Sequence, residues 1–457
     1  ANINRGEGDC NGDKECNDDR IAFGLSIPAA KGFVLPGGKD EATIKKQVSN
    51  DLKTRVLEEV VPVYQALAND EQDSVRSLAV SSSGSLGCAL GLDGDLCAKA
   101  ILPIVGAGSI DLSWRVRHNL AKEFSIVAQS QGFNEPAHSK RLTELFQFFS
   151  NLLQDFEAEV RTSSVENLAR MAQLGGVDLF QSHLAPVLPS LADDPVMEVR
   201  SKLAETLMDC CDESICTALN DKIILQEFKP LLEGFLNDEF ADVQLHILSK
   251  LSRVTHLLDK MDAVVDSILS MTKAPNWRVR EAVCELLPHL AEARGVAFFE
   301  EHLLEPWTKL LLDQVADVRS ACVKGMPKLL SVAGAEWIER TILPLYVRIY
   351  EDSSSYLTRI SVLRSYSNLV NAKTGMTPGL MEQIVMHLLK ALEEDQVANV
   401  RIVAAKGLRE IANSVEEGLL NAKILPALQT RTTEDEDVDC QFFAQSALEA
   451  CQGGSSG

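Results

Sequence analysis

The side chains able to do acid–base, nucleophilic or metal chemistry are present in this chain but poorly spaced for it. Eight histidines stand at His118, His138, His183, His246, His256, His289, His302 and His387. None belongs to an HExxH pair or stands at ligand spacing from a partner carboxylate, so surface or packing roles are expected. The densest thiol group is Cys210, Cys211 and Cys216. A Cys-x4-Cys run on a helical segment with no second pair lacks the ligand set of a structural zinc site. The run Asp9-Cys10-Asn11-Gly12-Asp13 opens like a calcium loop, but the required glycine and distal glutamate are out of place. No GxxxxGK phosphate loop, no GxGxxG after a strand and no GxSxG elbow occurs. The expectation is a chain with no catalytic residue, no metal and no cofactor.

The residues that remain are suited to recognition. Trp114-Arg115 and Trp277-Arg278 sit in polar segments, where a tryptophan has no core to fill. Large contact area combined with directional hydrogen bonding makes Trp and Arg the usual anchors of protein interfaces. Trp307 and Trp337 lie among apolar residues and suit either packing or an interface.

The elements that would position these anchors follow from a repeat. A Val-Arg dipeptide returns about every forty residues, a period that marks a helical array. It stands at Val75-Arg76, Val116-Arg117, Val160-Arg161, Val199-Arg200, Val279-Arg280, Val318-Arg319 and Val400-Arg401, with degenerate copies at Val243-Gln244, Thr358-Arg359 and Cys440-Gln441. Five residues before the Val position stands an aspartate: Asp70, Asp111, Asp155, Asp194, Asp238, Asp313, Asp395 and Asp435. Two units are variants, with Ala274 and Ser353 in its place.

Before each aspartate runs an apolar stretch, often opened by proline, as in Ile101-Leu102-Pro103, Ile342-Leu343-Pro344 and Ile424-Leu425-Pro426. Proline is tolerated in a first helical turn, where the missing N–H has no partner anyway. After the Val comes a second helix. Val400, Val403, Ala404, Leu408 and Ile411 fall on one face at helical spacing, with Arg401, Lys406, Arg409 and Glu410 elsewhere. Each unit therefore reads as helix, short turn, helix.

Such pairs cannot bury both faces alone, so the expected fold is all-α, a right-handed α-α superhelix of about ten HEAT-type, armadillo-like repeats. Residues 42–452 would form this solenoid, 1–41 an irregular N-terminal segment and 453–457 a flexible tail. The aspartates and arginines are expected to build a ladder between repeats, with Asp313, Arg319, Asp395 and Arg401 among its members. Capping of helix ends is the plainer role for the same residues.

Composition bounds the partners. Of 457 residues, 46% are hydrophobic and only 5% aromatic, which favours packed helices over an aromatic-rich β sandwich. The net charge of −22 repels phosphate backbones and anionic lipid, so neither nucleic acid nor membrane is an expected partner. Eleven cysteines without a disulfide framework fit a reducing cytoplasmic or nuclear compartment. No apolar run reaches the roughly 20 residues needed to span a bilayer.

Particular turns then resemble one family. Ser113-Trp114-Arg115-Val116-Arg117 and Asn276-Trp277-Arg278-Val279-Arg280 are similar to the tryptophan-bearing turns of the structural scaffold subunits of serine/threonine protein phosphatase 2A. Asp70 to Arg76, Glu157 to Arg161, Val397 to Arg401 and Asp435 to Asp439, with Phe443-Ala444-Gln445, resemble that family's repeats in the same order. The likeness covers roughly residues 55 to 450 and matches the last ten of the family's fifteen repeats.

This resemblance implies a scaffold that holds a phosphatase 2A catalytic subunit on C-terminal turns and an exchangeable regulatory B-type subunit on N-terminal turns. Carried over, the first surface comprises Lys273, Trp277, Arg278, Gln314, Val315, Tyr356, Arg359, Val397, Asn399 and Asp439. The second comprises Asp73, Ser113, Trp114, Arg115 and Glu157. Two turns depart from the family: Gln314-Val315-Ala316-Asp317 lacks an aromatic, and Ser353-Ser354-Ser355-Tyr356 is shifted by a residue. A karyopherin-like transport or assembly factor is the alternative, since an acidic surface suits basic cargo.

Overall fold

A computed structural model describes residues 48–133, 138–370 and 375–453. The N-terminal segment 1–41, its Cys10 and Cys16, and the tail beyond Gly453 lie outside the described residues. The chain divides into two units, Ala1–Gly175 and Gly176–Gly457.

In the first unit, three helix pairs carry the repeat: Val61–Ala68 with Asp73–Ser81, Leu102–Ser109 with Trp114–Ser130, and Ser139–Leu153 with Ala158–Val165. The second unit holds seven: Leu188–Ala192 with Met197–Asp209, Lys229–Leu236 with Ala241–Leu248, Asp262–Met271 with Trp277–Arg294, Leu304–Leu311 with Ala316–Ala333, Leu343–Asp352 with Tyr356–Val370, Pro378–Glu394 with Ala398–Ile411, and Leu425–Glu434 with Val438–Gly453. Each unit is a stack of helix pairs, and no strand occurs among the described residues. The architecture is the all-α helical-repeat solenoid that the periodicity implies.

The dipeptide splits its work between core and ridge. Val116, Val160, Val199, Val243, Val279, Val318 and Val400 are all fully buried, each contributing about 1.5–3 kcal/mol by leaving water. In the Ala398–Ile411 helix, Val400, Ala404, Leu408 and Ile411 are likewise buried, while Lys406, Arg409 and Glu410 face solvent. The 3.6-residue period thus places the core face as the sequence indicates.

Pro103 opens the Leu102–Ser109 helix as expected, but five other prolines act differently. Pro62, Pro186, Pro230, Pro344 and Pro426 each follow a five-residue π turn inside a longer first helix. The residue before each proline donates its N–H to the carbonyl five residues back, as Leu343 does to Ile338 and Leu425 to Leu420. A proline ring crowds the carbonyl four residues before it, a clash that a one-residue slip relieves, and the Phe299–Leu303 turn makes the same slip with Glu305 in the proline's place.

Candidate protein-docking ridge

The turn between the helices of each pair is built by its aspartate. All eight repeat aspartates accept, through Oδ1, the N–H of the residue two further on, from Gln72 on Asp70 to Asp437 on Asp435. This side-chain turn presets the entry to the second helix. The repeat arginine then reaches back. Its Nη1 donates to the aspartate's main-chain carbonyl six residues earlier, as Arg117 does to Asp111 at 2.7 Å and Arg401 to Asp395 at 2.9 Å.

The other two donors of the guanidinium reach forward to the carboxylate of the next repeat. In the first unit Arg76 grips Asp111 and Arg117 grips Asp155. In the second unit the rungs are Arg200 to Asp238, Arg280 to Asp313, Arg359 to Asp395 and Arg401 to Asp435. Each of these six is bidentate, the fork geometry that makes Arg–carboxylate pairs strong. The sequence left open which arginine each aspartate takes. The Asp313 carboxylate is held by Arg280 of the preceding repeat, whereas Arg319 of its own repeat reaches only the main-chain carbonyls of Asp313 and Gln314.

The variant repeats break the ladder at two places. Gln244 keeps the local bond to the Asp238 carbonyl but has no fork, and the next repeat offers Ala274 where the acceptor would stand. Arg319 has its fork, but the next repeat offers Ser353. Elsewhere the rungs are electrostatically tight. The Arg76 guanidinium holds Asp111 below the usual carboxylate range. Burial works to raise Asp313, Asp395 and Asp435, but their guanidinium and N–H bonds outweigh it and leave all three depressed.

Within the turns of each unit the expected docking residues divide into three groups. Some are presented: Lys273, Arg278, Gln314, Tyr356, Asn399, Asp439, Trp114 and Glu157 are exposed, and Trp277 is partly so. The guanidinium of Arg278 lies 4.8 Å from the centre of the Trp277 ring, and that of Arg115 5.5 Å from Trp114. Others are tied into the turns. Ser113 donates to Asp73 at 2.8 Å, Arg115 stands 3.7 Å from the same carboxylate, and Val315 and Val397 are half-buried residues at the starts of second helices. Arg359 stands apart: its fork is engaged by Asp395, so it is a ladder residue and not a free docking residue.

Trp307 and Trp337 are core. Trp307 is fully buried with its indole N–H on the Tyr346 hydroxyl at 3.0 Å, and Trp337 is buried with its N–H on Glu300 at 2.6 Å.

Sequence reasoning missed Leu112 and Phe156. Both are 99% exposed, each directly after a repeat aspartate, where the other six repeats of that pattern carry Glu71, Pro195, Glu239, Gln314, Gln396 and Glu436. Arg161 donates to the Phe156 carbonyl at 3.0 Å, so the aromatic projects from a pinned turn. The readable signal was a large apolar side chain at a position that otherwise holds Glu, Gln, Ser or Pro in this register.

The thiol group does not assemble a reactive centre. Cys210, Cys211 and Cys216 line a cavity of about 520 Å³ with Arg253 and His256. Burial holds Cys210 and Cys216 high and pushes Cys211 up to about 12, so all three are protonated at neutral pH and poor nucleophiles. Among the described residues, no group of three His, Cys, Asp or Glu is arranged to hold a metal ion. Among them, too, no helix is long and apolar enough to cross a membrane.

No protein-family model matches the chain. Among curated proteins it is similar to the beta isoform of the human 65 kDa regulatory A-type subunit of serine/threonine-protein phosphatase 2A, 32% identical over 120 residues, covering 25% of this chain and 19% of that protein. The corresponding PP2A regulatory protein of Saccharomyces cerevisiae is 29% identical over 132 residues, 27% of this chain and 20% of its own length. Serine/threonine-protein phosphatase 4 regulatory subunit 1 of Rattus norvegicus is 26% identical over 274 residues, 56% of this chain and 27% of its own. The chain thus spans about a fifth to a quarter of the relatives it matches. Among solved structures, Kap121p bound to Pho4p superposes with a TM-score of 0.65 at 16% identity, covering 90% of this chain and 44% of that one. A Kap95p structure reaches 0.59 at 15% identity, covering 91% and 53%. The chain is therefore a helical-repeat protein whose partial sequence relatives are phosphatase regulatory subunits.

Proposed function

We propose that the chain is a non-catalytic scaffold that seats a phosphatase 2A-type catalytic subunit on turns of its second unit and a regulatory B-type subunit on turns of its first. It would act by geometry, raising the effective concentration of substrate and regulator near an active site it does not itself contain. The observation that carries this reading is the Trp277-Arg278 pair. A half-exposed tryptophan beside an exposed guanidinium, at the tip of a turn whose Arg280 ties it to the next repeat, satisfies no core demand and has the composition of an interface hot spot. Partial likeness to regulatory subunits of phosphatases 2A and 4 supports the partner class. The net charge of −22 argues against nucleic acid or anionic membrane as partner, and a cytoplasmic or nuclear setting belongs to the same proposal.

Docking is expected to use Lys273, Gln314, Val315, Tyr356, Val397, Asn399 and Asp439 around that anchor, with Asp73, Ser113, Trp114, Arg115 and Glu157 on the regulatory side. The test is binding of purified chain to a phosphatase 2A catalytic subunit. The Trp277→Ala, Arg278→Ala double variant should lose at least about 2 kcal/mol of affinity. Absence of binding by the natural chain would end the proposal. Capture of a basic localisation peptide in its place would favour the transport-factor alternative.

A further inference from the structure

Two arrangements of the joint between repeats are seen, six of the first kind and one of the second. Either an aspartate receives the fork of the preceding arginine, as Asp313 does from Arg280, or donor and acceptor are both absent, as at Gln244 and Ala274. The repeat containing Ser353 follows neither. Arg319 is present, its Nη1 bonded to the carbonyls of Asp313 and Gln314 at 2.7 and 3.0 Å. The Nε and Nη2 that form rungs in Arg76, Arg117, Arg200, Arg280, Arg359 and Arg401 meet no acceptor here among the described residues. Facing the next repeat, Arg319 finds a serine in the aspartate register.

Ser353 copies half of the aspartate's job. Its Oγ accepts the Ser355 N–H at 3.2 Å, the same two-residue turn that each aspartate makes, and Arg359 donates to its main-chain carbonyl at 3.0 Å, as repeat arginines do elsewhere. The backbone is therefore in ladder geometry and only the anion is missing. The serine lies at the end of the Leu343–Asp352 helix, in a turn whose next two residues, Ser354 and Ser355, are exposed.

We infer that Ser353 is a phosphorylation site, and that its phosphate takes the place of the repeat aspartate and completes the rung to Arg319. A protein serine kinase would transfer the γ-phosphoryl group of ATP to Oγ. The new P–O bond forms as the bond to ADP breaks, and the hydroxyl proton leaves to the kinase base. The product carries about −1.5 to −2 charges with three strong acceptor oxygens, a match for a fork that has no partner. The phosphate reaches one covalent bond further than a carboxylate, which the arginine stem absorbs. The completed rung would tie the turn bearing Gln314 to the turn bearing Tyr356. That consequence for docking rests on the proposed function, whereas the rung itself does not.

The test needs no phosphatase. Intact chain incubated with an acidophilic serine kinase and ATP should carry phosphate at Ser353, since Glu351 and Asp352 precede it. Labelling confined to Ser354 or Ser355 would overturn the assignment. Chain made with phosphoserine encoded at position 353 should then show at least about fivefold slower amide exchange in the first turns of the Ala316–Ala333 and Tyr356–Val370 helices. Arg319→Gln should abolish that slowing, and phosphoserine encoded at 354 should not produce it. Slowing that survives Arg319→Gln, or no slowing at all, would show that the phosphate does not enter the ladder.

Discussion

Asp395→Ala removes the most heavily engaged acceptor of the ladder. Its carboxylate takes Arg359 Nε at 2.8 Å and Nη2 at 3.1 Å, the Tyr350 hydroxyl at 2.6 Å and the Val397 N–H at 2.9 Å. The side chain is 5% exposed and that of Arg359 14%. Removing one partner of a buried ion pair costs about 3–5 kcal/mol, because the remaining charge stays desolvated. Here Arg359 keeps its bond to the Ser353 carbonyl and some access to water, and Tyr350 can turn to solvent, which places the loss near about 3 kcal/mol.

A repeat array opens locally, so one global unfolding energy is the wrong readout. Native-state amide exchange resolves the effect: opening of the Tyr356–Val370 and Ala398–Ile411 helices should become about a hundredfold easier, at about 1.4 kcal/mol per factor of ten. The Leu102–Ser109 helix in the other unit should be unchanged. Exchange altered by less than about threefold beside the mutation, or by equal amounts in both units, would refute the ladder as an energetic device.

Four further outcomes follow from the same geometry. Installing the absent rung with Gln244→Arg and Ala274→Asp together should stabilise that joint by about 1 kcal/mol, with neither single change sufficient, as a double-mutant cycle of local exchange would reveal. Asp111, Asp313, Asp395 and Asp435 have folded-state pKa values below their unfolded ones, so their contribution is complete above about pH 4 and is lost as pH falls through the depressed values. Acid titration of the chain followed by helix content should show the transition there. Leu112→Ser with Phe156→Ser should leave stability within about 0.5 kcal/mol, both side chains being solvent-exposed, while weakening capture of a regulatory subunit. Trp307→Ala should destabilise its repeat by about 3–5 kcal/mol, measured by urea titration of the second unit's signal.

Much of the fold was legible because two residue types with different jobs share one period. The valine must be apolar to reach the core, and the aspartate must be short to build the turn and anionic to take the rung, so both leave marks in the sequence. The pairing rule was not legible. A rung joins residues in different repeats, as in Arg280 to Asp313 and Arg117 to Asp155, and nothing local distinguishes the next repeat's aspartate from the arginine's own. Proline was ambiguous for a related reason: its ring forbids one hydrogen bond, and either a helix start, as at Pro103, or a one-residue slip, as at Pro344, satisfies that constraint.

The docking residues were partly legible. Exposed Trp114 and half-exposed Trp277 follow from tryptophan in a polar turn, and buried Trp307 and Trp337 could be separated from them only once Tyr346 and Glu300 were seen to take their N–H groups. Arg359 was drawn toward the interface by its place in a turn, though the fork it presents is the ladder's own. Leu112 and Phe156 stayed hidden because an isolated apolar residue next to an aspartate looks like ordinary core.

Amide exchange of the chain, free and bound to a phosphatase 2A catalytic subunit, tests the central claim most directly. Protection at the turns around Trp277, Gln314, Tyr356 and Asn399, with the Asp111 and Asp155 turns unchanged, is the predicted footprint. A complex that forms while leaving those four turns unprotected, or no complex at all, would contradict it.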